Sequence, residues 1–107
     1  MENNEELTLS INEKLEELAQ CSNGVITTEG YEPGQWLNND AIVALVRLMD
    51  HVDIDVAFKL VSIDDPIATI TIYELYRQHT IFEKNVKIPK DVLSLFTICD
   101  KPDWVDE

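Results

Sequence analysis

From Ala41 to Met49 the chain reads AIVALVRLM, with Arg47 the one polar residue. A helix over this run would be apolar on nearly every side and would need cover on several faces, which makes it the expected centre of the domain. Asn38, Asn39 and Asp40 offer side-chain oxygens to its first free amides, and Asp50-His51 stands where it should stop. Upstream, Ile11, Leu15, Leu18 and Ala19 recur at the spacing of one helical stripe. Ser10 to Glu13 fits a capping box for that helix, Asn23-Gly24 fits a left-handed stop, and residues 1–9 read as a polar lead-in that frays. Between the two helices, 24–35 is an irregular loop holding every glycine of the chain, with Val25 to Thr28 a short extended stretch. Tyr31 and Trp36 flank its second half and are expected to pin it to the core.

The second half is harder to assign. After Gly34 there are 73 residues without a glycine, which counts against tight hairpins. Acids precede the apolar runs (Asp53 and Asp55 before Val56, Asp64-Asp65 before Ile67, Asp91 before Val92), while Lys59, Arg77, His79 and Lys101 lie towards their ends. Helix dipoles favour that order, and Pro66 and Pro89 fit first-turn positions. Against it, 56–63 is rich in β-branched residues and Ala68 to Tyr73 alternates strictly, with Asp65-Pro66 between them as the corner of a type I turn. Weighing these, the pattern predicts helices over 54–63, 66–80 and 90–100. The expected fold is mainly α: a compact single-domain bundle of about five helices around the central helix 41–50. The alternative is α+β with a β-hairpin at 56–73.

Charge changes the picture more than composition does. The chain carries 21 acids against 8 Lys and Arg, a net charge of -13. Phosphates would be repelled, so direct nucleic-acid binding is not expected, and a basic protein is the natural partner. Seven acids sit around the starts and ends of the middle elements: Glu29, Glu32, Asp50, Asp53, Asp55, Asp64 and Asp65. They form the expected protein-binding surface. The sign reverses between Arg77 and Lys90, where Arg77, Lys84, Lys87 and Lys90 face only Glu83. This stretch is a second candidate surface.

Catalytic and metal chemistry find little support. Residues 36–42, WLNNDAI, resemble the Trp-Leu-Asn-Asp-x-x-Ile segment that opens ubiquitin-like-protein cysteine proteases. That family's His-Trp pair and Asp-Cys-Gly loop do not follow, because His51 precedes Val52, His79 precedes Thr80 and Cys99 precedes Asp100. No family is assigned on this segment. Cys21 and Cys99 read as buried small hydrophobes in a reducing compartment. His51 with Asp50, Asp53 and Asp55 lacks the glycine turn and closing Glu of a calcium loop, and no glycine-rich phosphate loop opens a later helix. No cofactor, metal or enzymatic activity is expected. No apolar run reaches the roughly 20 residues of a membrane span, and the acidic start MENNEELTL lacks the features of a secretory signal, so a cytoplasmic location is expected. The expected function is that of a small acidic interaction module: an inhibitor, immunity protein or DNA mimic that blocks a nuclease or nucleic-acid-binding protein. The alternative is an assembly adaptor or chaperone-like subunit whose acidity serves only solubility.

Overall fold

The computed structural model describes residues 4–21, 30–77 and 80–105. The elements run α1 (Asn4–Cys21), β1 (Trp36–Asn38), α2 (Asp40–Asp50), β2 (Asp55–Asp64), β3 (Ile67–Leu75), β4 (Ile81–Pro89), a 3₁₀ segment (Lys90–Leu95) and β5 (Thr97–Cys99). The strands form one antiparallel sheet in the order β4-β3-β2-β1-β5. The fold is therefore α+β, which overturns the five-helix bundle. Strands β2 and β3 stand where helices over 54–63 and 66–80 were expected. The 3₁₀ segment and β5 replace the helix at 90–100. The hairpin alternative at 56–73 is the arrangement that forms.

Two features explain why strands win. Ala68, Ile70 and Ile72 are fully buried on one side of β3 and Tyr73 and Thr71 on the other, so strict alternation serves a sheet covered on both faces. The hairpin loop is Asp65-Pro66, closed by the Asp64–Ile67 pair. With Asp64 and Ile67 paired, Pro66 stands at the third turn position and not at the first corner of a type I turn; its bond with Asp65 is cis, and neither loop residue has a positive φ. Such a loop needs no left-handed residue, and the absence of glycine carried no information against it. Of the acids that seemed to open helices, Asp53 and Asp65 lie in loops and Asp55 and Asp64 start and end β2, while Asp91 stands in the first turn of the 3₁₀ segment.

Helix α2 is real, but it is not central. Asn39 caps it, its Oδ1 accepting from the amides of Ala41 and Ile42 at 3.0 and 3.1 Å, and its Nδ2 donating to the Leu95 carbonyl at 2.8 Å. His51 ends it in the left-handed region with φ 57°. Only Ile42 and Val46 are buried, and Leu48 is 69% exposed, so α2 lies on a surface with one face inward. Helix α1 begins at Asn4, which puts Ser10 and Glu13 inside it and makes 4–9 helical. Its buried stripe is Leu7, Ile11 and Leu15. Asn23-Gly24 and Val25 to Thr28 lie outside the described residues.

The sheet separates two clusters. On one face α1 and α2 cover Phe58, Leu60, Ile70, Ile72, Val86 and Ile88, with Leu93 and Phe96 closing the layer. On the other, Trp36, Ala57 and Tyr73 are covered by Trp104 and Val105 near the end of the chain. An extra residue at Val61, where the register shifts between Leu60 and Ser62, lets both Leu60 and Ile63 reach the helix-side cluster. The loop before β1 is held down as expected: Tyr31 Oη donates to the Phe96 carbonyl at 2.7 Å. Gly34, with φ 97°, donates its amide to the Leu60 carbonyl at 2.7 Å.

Candidate functional site

Strand β3 fills its helix-side positions with Ala68, Ile70, Ile72 and then Glu74. An acid thus occupies a slot that alternation reserves for an apolar side chain, and Glu74 is 0% exposed. Its cross-strand neighbours are Val56 and Phe82, and Ile72 stands opposite Lys84. Lys84 reaches from the same face of β4, its Nζ 3.2 Å from Glu74 Oε2 and 3.3 Å from Asp50 Oδ1. Asp50, the last residue of α2, therefore shares one ammonium with Glu74. Tyr76 Oη completes the cluster, 3.2 Å from Glu74 Oε1 and 3.3 Å from Asp50 Oδ2.

The hydrogen count in this cluster is short. A phenol has one proton to donate, so it satisfies only one of the two carboxylates at a time. Glu74 Oε2 lies at ion-pair distance from Lys84 but in a geometry that makes no hydrogen bond. Burial first, then the contact with Asp50, pushes the Glu74 carboxyl up from its ordinary 4.5 to about 7. Burial acts on Asp50 in the same direction, but hydrogen bonds from Glu74, Lys84 and Tyr76 and the Lys84 charge outweigh it and leave Asp50 below its usual range. Burial and then the two carboxylates raise Tyr76. For Lys84, burial favours the neutral form, yet contact with Glu74 and Asp50 prevails and raises it.

Tyr76 also faces outward. Its ring meets Phe82 edge to face, with centroids 5.1 Å apart. The two rings form one wall of a cleft of about 620 Å³, whose other wall is the turn His51–Ile54 leading from α2 into β2. Arg77 and Thr80 complete its lining. Shallower grooves of about 340 and 530 Å³ adjoin it on either side of Asp53. Arg47 braces the turn, its Nε donating to the Ile54 carbonyl at 2.6 Å. Of the seven most exposed large apolar residues among those described, Leu48, Val52 and Phe82 gather here.

The expected acidic surface does not form one patch. Asp53 and Asp55 are exposed beside the cleft, and Asp53 is held only by a 4.0 Å approach to Arg47. Asp50 is turned inward to Lys84. Asp64 and Asp65 lie at the far end of the β2–β3 hairpin, about 30 Å from Asp55 at the usual rise of an extended strand. Glu32 is exposed in the loop that pairs with Leu60, on the side of that far end. Glu29 lies outside the described residues. The basic stretch is dispersed too: Arg77 lines the cleft, Lys84 is in the cluster, Lys87 takes the opposite face of β4, and Lys90 starts the 3₁₀ segment.

Both cysteines are free and exposed, which corrects their expected burial. Burial of part of the side chain and the Asp100 charge push the Cys99 thiol up, away from the thiolate a nucleophile requires. In the WLNNDAI segment, Trp36 to Asn38 form β1, Asn39 caps α2 and Ile42 is core, so these residues have structural roles. His79 lies outside the described residues. No group of three or more His, Cys, Asp or Glu residues suited to a metal ion occurs among the described residues. No described helix is long and apolar enough to cross a membrane.

Glu74 was not singled out in the sequence, and Lys84 was read only as part of the basic stretch. The available signal was an acid in phase with Ala68, Ile70 and Ile72, visible only once β3 is read as a strand. Compared with known proteins, the chain matches no family model, no curated protein and no solved structure.

Proposed function

We propose that this protein is a small acidic interaction module that occupies and inhibits a basic partner protein, such as a nuclease or nucleic-acid-binding protein. Its contact surface is the end of the molecule where α2 turns into β2. The observation that carries this reading is the placement of the exposed carboxylates of Asp53 and Asp55 beside a cleft bordered by Val52 and Phe82. Protein interfaces combine apolar anchors at the centre with a charged rim, and this end offers both. The net charge of -13 supplies a long-range field that draws a cationic partner in and repels nucleic acid. The far-end acids Asp64, Asp65 and Glu32 contribute to that field and not to the same footprint. The module binds; it is not assigned a reaction. An adaptor built on the Arg77–Lys90 stretch is the weaker reading, because its cations are dispersed: Lys84 and Lys87 lie on opposite faces of β4, Arg77 precedes it and Lys90 follows it.

The test has two stages. The protein, immobilised in low salt, is used to capture proteins from its source cells, with elution by a salt gradient. Association rates of the captured protein are then measured for the parent and the Asp53→Asn/Asp55→Asn double variant across a salt series. A basic protein, released by salt and associating several-fold more slowly with the variant, is the expected result. Retention of no basic protein, or rates indistinguishable between parent and variant, overturns the reading.

A further inference from the structure

We infer that Asp50, Tyr76, Glu74 and Lys84 form a proton-operated latch that sets the width of the cleft between the His51–Ile54 turn and the Tyr76–Phe82 wall. The inference goes beyond the binding role and holds whatever molecule the cleft receives.

The geometry carries it. The four side chains bring together the end of α2, the core-facing side of β3 and β4, and the segment after β3. Two of them are continuous with the two cleft walls. Asp50 directly precedes the left-handed His51 from which the turn wall starts, and Tyr76 is itself part of the aromatic wall. Any change in the distance between Asp50 and Tyr76 therefore changes the separation of the walls.

What changes that distance is the proton on Glu74. With Glu74 protonated and neutral, Asp50 and Lys84 form a one-to-one ion pair. The carboxyl proton and the phenol proton then serve both acid groups, and the end of α2 is held against β3. When Glu74 releases its proton to solvent, two carboxylates compete for one phenol hydrogen and one ammonium. Their repulsion acts between α2 and β3 in a site shielded from water, where charge interactions are strong. The end of α2 moves outward and the cleft widens.

The groups facing Glu74 are Asp50 from α2, Lys84 from β4 and Tyr76 after β3, while its cross-strand neighbours Val56 and Phe82 are apolar. On α1 the acids Glu5, Glu6, Glu13, Glu16 and Glu17 are exposed, and Lys14 pairs with Glu17 at 3.4 Å. The raised Glu74 carboxyl, at about 7, puts the transition near neutrality. His51 lines the cleft as well, so the test must separate its contribution from that of Glu74.

Nuclear magnetic resonance of the full chain provides the separation, with carbon-13 signals of the Glu74 carboxyl, the Val52 methyls and the Phe82 ring followed from about pH 5 to about pH 9. All three should move with one shared midpoint near 7. The Val52 and Phe82 transitions should disappear in Glu74→Gln and persist in His51→Gln. Should Glu74→Gln fail to fold, Asp50→Asn replaces it. Glu74 then still titrates but has no carboxylate on α2 to repel, so the cleft signals no longer follow it. Cleft signals that stay flat in the parent overturn the latch. So does a transition that is lost in His51→Gln, or one that survives in Glu74→Gln or Asp50→Asn.

Discussion

Glu74 gives up hydration in a slot that its strand otherwise fills with Ala68, Ile70 and Ile72, and its folded carboxyl sits at about 7 against an ordinary 4.5. A carboxyl raised in the folded state binds its proton more tightly there than in the unfolded chain. Its contribution to stability is therefore complete below about 4.5 and is lost as pH rises through about 7. Asp50 is lowered and behaves oppositely: its contribution is present above its ordinary 3.8 and lost in stronger acid. Urea unfolding of the parent should show stability declining between those two Glu74 values, and Glu74→Gln should flatten that slope. A second residue-scale prediction concerns Asn39, whose side chain caps α2 and ties it to Leu95. Asn39→Ala should cost about 1–2 kcal/mol in the same measurement.

At the scale of elements, the β2–β3 hairpin organises the molecule and α2 does not. Phe58, in β2, is fully buried and meets Phe96 edge to face at 5.7 Å, so Phe58→Ala should lose about 3–5 kcal/mol. Leu48→Ala on the outer face of α2 should stay within about 0.5 kcal/mol, as exposed positions do. Calorimetry of the two variants checks the ranking, and the reverse order would restore α2 to the centre. The hairpin was legible in the alternation Ala68 to Tyr73, and both ends of α2 were legible in Asn39 and His51. It was outweighed because a glycine-free loop seemed unable to turn the chain and because acids before apolar runs resemble helix starts. Neither inference allows for an Asp-Pro corner, which turns the chain without a left-handed residue. The candidate site was less legible still. Asp53 and Asp55 could be picked as exposed acids, but Glu74, Lys84, Asp50 and Tyr76 meet only through strand register and the landing point of α2. Spacing along the chain encodes neither directly.

Over the whole molecule, the net charge of -13 is spread across both ends of the sheet and along the exposed side of α1. Self-repulsion of that size opposes the compact state and is screened by salt within about 10 Å at 0.1 M. Raising sodium chloride from about 10 mM to about 150 mM should therefore raise the melting temperature, while the steered association proposed above slows. A melting temperature that falls over the same range would mean that attractive pairs such as Lys84 with Asp50 and Glu74 dominate the field.

The two-sided sheet has a consequence for how this protein can be observed. Its two tryptophans, Trp36 and Trp104, both belong to the small cluster on the face away from the helices, with the Tyr73 ring 5.2 Å from Trp36 and the Lys59 ammonium 5.6 Å above it. Indole emission is thus an optical reporter of one face. Events in the cleft and the helix layer can pass without altering its colour, while release of the segment bearing Trp104 and Val105 should shift it to the red even where far-UV ellipticity is unchanged.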